Sequence, residues 1–443
     1  MKSRVLLVVF VFSLGCIFRS VAQHTIFIPE LSKANSLFES ADYPRALVAY
    51  QKFTSSKGDS LIHPEVLYRI AYCMIQEGHR NPEAMHYLER YIRLSENHFE
   101  AFYLLGNYYH SCARLDAALE LYNKFIGFVE QDTTEDIKIR HEVIQTVKRE
   151  IAGCEFAKVQ LASHPDAIAE NLGAGINTPY PEYAPVVSDN DSVLFFTRRG
   201  PESTGGKKTR ENEYYEDIYK SVTDSGKFSK CVQMSASINS GGNDGALQLS
   251  KDNSRLYLYR KGKICYSSIY GGIFLDPKEI EKKNDITDHN ANEPNMYISP
   301  DGNTIFFSSD RAGGSGGLDI YKSSKGADGI WSKPENLGDN VNTRFDEDYP
   351  FYDVSDSTLY FSSKGLLGMG GYDVFKSQWK NGFWSPAVNM GYPVNSPADD
   401  ITFFMIPSKT HAYLASDRYG GLGGMDLYRL SNLKVANLPA AGR

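Results

Sequence analysis

Two hydrophobic periods divide this chain. From residue 31 to 158 the apolar positions keep helical spacing, and Gly and Pro are sparse. Three segments place Ala, then an aromatic or Leu four positions on, then an aromatic seven positions on. They are Ala46, Tyr50 and Phe53; Ala84, Leu88 and Tyr91; and Ala118, Tyr122 and Phe125. Those offsets lie on one helix face. Upstream of each Ala stands a small residue next to larger ones: Ala34 with Leu37, Ala71 with Tyr72, Gly106 with Tyr109. The small residue lets two helices approach, and the large ones fill the groove beside it. The pattern predicts three helix pairs, with a further helix from Asp136 to near Ala157 closing the stack.

From residue 160 to 432 the pattern becomes that of strands, and one phrase recurs. A turn leads into an aromatic-rich strand, then Ser or Thr, a Gly-rich loop, and Asp-aliphatic-aromatic. The clearest copy runs from Ser299-Pro300-Asp301-Gly302 through Ile305-Phe306-Phe307-Ser308-Ser309 to Asp319-Ile320-Tyr321. Others end at Asp217-Ile218-Tyr219, Asp373-Val374-Phe375 and Asp426-Leu427-Tyr428, and a degenerate one spans Leu256 to Tyr266. A unit of roughly 40 to 50 residues with several strands predicts a β-propeller. A second phrase, typified by Asn336-Leu337-Gly338 and Val341-Asn342-Thr343, closes units and also stands before the first one, at Asn171-Leu172-Gly173 and Ile176-Asn177-Thr178. The last unit lacks it. The economical reading is ring closure: the early segment supplies the outermost strand of the last blade, so no edge stays open. This predicts five blades; six would need one hidden in the long first spacing.

The helical part resembles the tetratricopeptide repeat, best in its third unit through Phe102, Leu105, Gly106, Tyr109, Ala118 and Tyr122. The competing reading is a generic helical bundle. The strand unit, with its Ser-Pro-Asp-Gly turn, Phe-Phe-Ser-Ser strand and Asp-Ile-Tyr exit, resembles the PD40 or WD40-like repeat of TolB-like propellers. This order of modules is similar to exported envelope proteins, including PorE-like components of type IX secretion. In those an OmpA-like domain follows, and none follows the last repeat before Arg443, so peptidoglycan anchoring is not expected. The resemblance implies protein–protein contact in the periplasm or at the outer membrane.

The ends of the chain sharpen that expectation. Lys2 and Arg4 precede an apolar stretch from Val5 to Phe18, and Ser20-Val21-Ala22 offers small residues where a signal peptidase reads. Residues 1–22 thus read as a signal peptide cut between Ala22 and Gln23, and residues 433–443 as a short tail. Two alternatives stay open: a retained membrane anchor, and lipidation of Cys16 in the lipobox-like Ser13-Leu14-Gly15-Cys16. No later run approaches a membrane span. Cleavage leaves Cys73, Cys112, Cys154, Cys231 and Cys265, without a Cys-x-x-Cys pair or zinc spacing, which suits buried small hydrophobes more than a disulfide framework. A net charge of −7 gives no basic surplus for nucleic acid.

Candidate chemistry is thin, and no cofactor or catalytic residue is expected. Gly313-Gly314-Ser315-Gly316-Gly317 spells a nucleophile elbow, but that motif needs a following helix and distant Asp and His partners. The exit acids Asp217, Asp319, Asp373 and Asp426 read either as a carboxylate ring or as local acceptors for the adjacent turn, which their shared context favours. A second set, Glu182, Asp244, Glu293, Glu347 and Asp400, precedes the first strand of each unit, and that strand lines a propeller channel. Gathered at one mouth, these acids are candidate ligands for a cation or a basic partner segment; the competing role is hairpin capping. The chain is therefore expected to be a non-enzymatic interaction scaffold, binding envelope proteins through the concave helical surface and a propeller face. The alternative is a hydrolase or lyase acting on envelope glycan or peptide through the channel. Intact-mass analysis of the mature protein should give a chain beginning at Gln23; a lipidated Cys16 at the new N-terminus would overturn this.

Overall fold

The computed structural model describes residues 28–56, 62–76, 82–95, 99–132, 136–163, 165–209, 213–224, 227–280 and 291–433. The expected signal peptide with Ala22 and Gln23, the lipidation candidate Cys16, and the tail beyond residue 433 lie outside them. The chain divides into two compact units, one ending at Glu155 and the other starting at Phe156.

Among the described residues the first unit is built on seven helices: α1 (Ser32–Glu39), α2 (Tyr43–Ser56), α3 (Pro64–Gln76), α4 (Pro82–Leu94), α5 (Glu100–Ser111), α6 (Leu115–Gln131) and α7 (Ile137–Leu161), the last crossing the division. Helices α1 with α2, α3 with α4, and α5 with α6 pack as consecutive hairpins. The small positions act as the pattern requires. A Cβ on Gly106 would stand 2.8 Å from the Tyr122 ring, and Ala34, Ala46, Ala71, Ala84 and Ala118 are buried. One polar link repeats with the same spacing: Tyr50 donates to Asn35 at 2.8 Å, and Tyr122 to Asn107 at 2.7 Å. Each tyrosine can then lie fully buried with its hydroxyl satisfied.

The second unit is a five-bladed propeller. Strand β1 (Ile168–Asn171) precedes the blades. The first blade holds β2 (Glu182–Val187), β3 (Val193–Arg199), β4 (Glu216–Asp224), β5 (Lys227–Phe228) and β6 (Val232–Gln233). The second holds β7 (Asp244–Leu249), β8 (Arg255–Arg260), β9 (Lys263–Tyr270), β10 (Ile273–Phe274) and β11 (Lys278–Glu279). The third holds β12 (Met296–Ile298), β13 (Thr304–Ser309), β14 (Asp319–Ser324) and β15 (Glu335–Asn336). The fourth holds β16 (Glu347–Asp353), β17 (Thr358–Ser363), β18 (Asp373–Lys380), β19 (Phe383–Trp384) and β20 (Val388–Asn389). The fifth holds β21 (Asp400–Met405), β22 (His411–Ser416) and β23 (Asp426–Ser431), and β1 completes it. The pairs Ile168↔Ser431 and Asn171↔Tyr428 fix the antiparallel register. The ring closes as the early closing phrase predicts, with five blades and no sixth in the long first spacing.

The second blade shows why its sequence looks degenerate. Strands β8 and β9 are joined by Lys261-Gly262 alone, both at positive φ, so this blade has no Gly-rich loop and no exit Asp. Apolar faces of neighbouring sheets interdigitate to form the core. Val186, Phe195 and Ile218 of the first blade meet Ala246, Leu256 and Leu258 of the second, and Phe196 and Tyr219 meet Tyr413 and Leu427 across the closing seam. No disulfide forms among the described residues, and Cys73, Cys154 and Cys265 are buried.

A chain truncated to begin at Pro179 loses β1 and leaves β23 as an open edge. It should aggregate or melt well below one beginning at Val159; equal melting of the two would contradict the closure.

Candidate functional site

The closing phrase does its work through one side chain. Asn177, Asn239, Asn342 and Asn395 are all at least 98% buried. Each faces the residue after an exit Asp and copies a backbone pairing. Asn342 accepts from the Ile320 amide at 2.8 Å and donates to the Ile320 carbonyl at 3.0 Å. Asn239 does the same with Ile218, Asn395 with Val374, and Asn177 with Leu427 across the closing seam. A primary amide offers one acceptor and two donors at nearly peptide geometry, so it ends a ladder without an orphan group.

The next residue starts the following blade. The Thr178 amide and hydroxyl donate to Glu182 at 2.9 and 2.6 Å, and Thr343 does so to Glu347 at 2.7 Å each. Ser240 caps Asp244 and Ser396 caps Asp400 in the same way. The longer acid thus follows Thr and the shorter follows Ser. These acids were candidates for a channel mouth. Glu182, Asp244, Glu347 and Asp400 are instead fully buried, and the Glu293 side chain is 8% exposed.

Guanidinium groups answer most of these acids from within their own blades. Arg198 Nε lies 2.7 Å from Glu182, Arg311 Nη2 2.5 Å from Glu293, and Arg418 Nη2 2.6 Å from Asp400. Arg260 stands farther from Asp244, at 3.5 Å. Glu347 takes the Ser363 hydroxyl at 2.7 Å, and burial pushes its carboxyl up to about 7. Among the described residues no three His, Cys, Asp or Glu side chains converge where a metal ion could sit.

The exit acids bind their own loops. Asp319 accepts from the Ser315 amide at 2.5 Å and from Asn336 at 2.9 Å. Asp426 accepts from the Leu422 amide and from Asn171 of the closing strand, and Asp373 from the Met369 and Gly370 amides. Asp217 takes the Thr204 amide and hydroxyl. The loop glycines are obligatory for a second reason: a Cβ on Gly316 would lie 2.2 Å from the Arg344 carbonyl carbon of the next blade. Ser315 stands on this loop leading into β14, with strands on both sides instead of an elbow's helix.

The channel is narrow. Strands β2, β7, β16 and β21 each carry a bulge, and Ala184, Tyr349 and Thr402 have φ of 51°, 55° and 55° there. The segments Ala184–Pro185, Ala246–Gln248, Asn295–Tyr297, Tyr349–Phe351 and Thr402–Phe404 line a cavity of about 60 Å³, with no charged side chain among them.

Sequence reasoning located both acid sets but missed their partners. Arg198, Arg260, Arg311 and Arg418 all stand within two residues of the end of the second strand of a blade, a recurrence that could have signalled them. The network of Asp191, His411 and Tyr413 across the closing seam had no such signal. His411 Nε2 lies 3.0 Å from Asp191, and the Tyr413 hydroxyl donates to Asp191 at 2.8 Å; the three residues come from two different blades.

No family model matches the chain, and no curated protein matches it. Among solved structures it is similar to a TolB-like protein from Agrobacterium tumefaciens, at 15% identity over 57% of this chain and 78% of that one, with a TM-score of 0.35. It is also similar to a glycoside hydrolase (10% identity, 64% of this chain, 97% of that one, TM-score 0.44). An alpha-L-arabinofuranosidase from Lactobacillus brevis gives 10% identity, 58% and 92% coverage, and a TM-score of 0.37. At these values the likeness concerns the fold alone.

Replacing Asn395 by Ala removes both bonds to Val374 and leaves its buried amide unpaired, while its carbonyl keeps the Met390 amide. The loss should be about 1–3 kcal/mol in chemical denaturation. A loss below about 1 kcal/mol would mean that the amide does not carry the seam.

Proposed function

We propose that this chain is an exported, non-catalytic scaffold that brings protein partners together in the periplasm or at the periplasmic face of the outer membrane. The observation that carries this reading is the propeller axis. Its cavity of about 60 Å³ is far below the roughly 300–1,000 Å³ of ordinary ligand pockets. The ionisable groups nearest the expected mouth are tied into capping and ion-pair bonds. A propeller arranged this way offers its surface for binding more readily than its centre for catalysis. That surface includes exposed apolar side chains on the Gly-rich loops: Leu367, Tyr419 and Leu422, at 53%, 73% and 48% exposure.

We read the helix hairpins as tetratricopeptide-like repeats, whose inner surface takes a peptide or helix from a partner. Two binding units in one chain suit a bridging role, as an accessory part of an envelope or secretion assembly of the type IX kind. No helix among the described residues is long and apolar enough to cross a membrane. The alternatives of a retained anchor over Val5 to Phe18 and of a lipidated Cys16 both lie outside the described residues.

The test is cross-linking in envelope fractions followed by mass spectrometry, with the full chain and with a Tyr419→Ser, Leu422→Ser variant. The variant should lose one partner and keep those held by the helical unit. Turnover of envelope glycan or peptide by the purified chain, abolished by a single channel substitution, would overturn the scaffold reading in favour of a hydrolase or lyase.

A further inference from the structure

Four carboxylates are buried where the third blade meets the fourth. Asp319 leaves the Gly-rich loop of the third blade, and Asp346, Glu347 and Asp348 enter the fourth; none is more than 4% exposed. Among the described residues one cation touches the group, Lys364, 3.5 Å from Asp346. In the third and fifth blades an arginine, Arg311 or Arg418, stands two residues after the terminal Ser of the second strand and reaches the entry acid. Gly365 takes that place in the fourth blade. A Cβ there would lie 1.8 Å from Thr343 Oγ1, so no side chain fits.

Neutral groups donate hydrogen bonds to the two central acids. Glu347 takes Thr343 and Ser363. Asp348 takes the Ser308 hydroxyl at 2.6 Å, the Asn295 amide at 2.9 Å and the Tyr349 backbone at 2.7 Å. Two buried oxygens nearby have no hydrogen-bond partner: Asp319 Oδ1, and the hydroxyl of Ser362, which faces Asp348 across the β16–β17 ladder.

The surrounding charges do not restore balance. Arg311 is engaged with Glu293. Arg344 lies over the Phe345 ring, and Lys364 over Tyr372. Asp373, at the start of β18, adds a further acid, itself pushed up to about 8 by burial. Arg199 and Glu216 of the first blade, which act on Tyr349, are paired with each other. These acids do not converge on a metal position, which leaves protons as the counter-charge.

We propose that the seam between the third and fourth blades is a proton-uptake site, where Glu347 and Asp348 are held as carboxylic acids and the propeller loosens as they ionise. Burial supports this by pushing Glu347 up to about 7 and Asp348 up to about 6. A carboxyl raised on folding stabilises the fold fully below its ordinary value, and that stability is lost as pH rises through the folded value. The window therefore runs from the usual carboxyl range up to about 7. His411 works in the opposite sense. Burial depresses it, so its contribution is lost as pH falls. Glu182 and Asp373, each pushed up to about 8 by burial, act in the same sense as the seam, so the difference between variants, and not the wild-type fall alone, reports on Glu347 and Asp348.

The experiment is a thermal melt of the full chain read by tryptophan fluorescence. Its three tryptophans, Trp331, Trp379 and Trp384, all fall in the third and fourth blades. Between about pH 5.5 and about pH 8.5 the midpoint should fall by on the order of 5 °C. The Glu347→Gln, Asp348→Asn double variant should lose a clear part of that fall, whereas Asp252→Asn, at an exposed turn, should keep all of it. A wild-type midpoint that is flat or rising, or a double variant with an unchanged fall, overturns the proposal. Should the double variant not fold, infrared difference spectra of the wild-type chain and of the single Glu347→Gln variant decide: a protonated carboxyl band present at the lower pH, lost at the higher and weakened by the substitution supports the site, and a band that is absent or unchanged by the substitution refutes it.

Discussion

A side-chain amide that stands in for a peptide group holds this ring together. In a propeller each sheet must end its ladder at the seam and hand the chain to the next sheet. Asn177, Asn239, Asn342 and Asn395 solve both problems at once. The amide completes the ladder of one blade, and the adjoining Thr or Ser caps the acid that opens the next. The geometry between blades is thereby set by short-range bonds among buried groups, and apolar packing fills in around it. Loss of the amide is costly because the abandoned backbone donor cannot reach water.

Burying so many charges would be unfavourable without strict pairing. The entry acids of the first, third and fifth blades meet guanidiniums of their own blades at hydrogen-bonding distance. Such pairs add little net stability compared with apolar packing, but breaking one leaves a stranded charge. They therefore penalise any register other than the native one. The loop glycines impose the same restriction sterically, since the backbone of the following blade passes where a side chain would stand.

Architecture was legible in the sequence because repetition is legible. Three copies of Ala, Leu or Tyr, and aromatic marked the helix hairpins. Four Asp-aliphatic-aromatic exits and one degenerate unit from Leu256 to Tyr266 counted the blades, and an out-of-place Asn-Leu-Gly located the closing strand. The exit acids were readable as well, since Asp319, Asp373 and Asp426 each accept from an amide of the loop just before them. The entry acids were found but could not be placed. Whether Glu182 faces a channel or an arginine depends on a strand sixteen residues away, and sequence spacing alone does not reveal the tilt of a strand. The Asp191–His411 contact joins residues from opposite ends of the propeller, and nothing local announces it.

The closing strand also imposes an order on how the molecule comes into being. Asn177 and its partner Leu427 are separated by 250 residues, and the intervening chain contains every other blade. Contacts so far apart in sequence carry a large loop-closure cost and form after local ones. A ribosome or a translocation pore delivers β1 early and β23 last. Until Ser431 emerges, β1 has no edge to join, and a nascent chain carries an unpaired strand beside blades that are already paired. Such exposed edges invite pairing with other chains. The ring is therefore most vulnerable during its own synthesis, and the helices that precede β1, built from contacts between neighbouring segments, can be complete well before it closes.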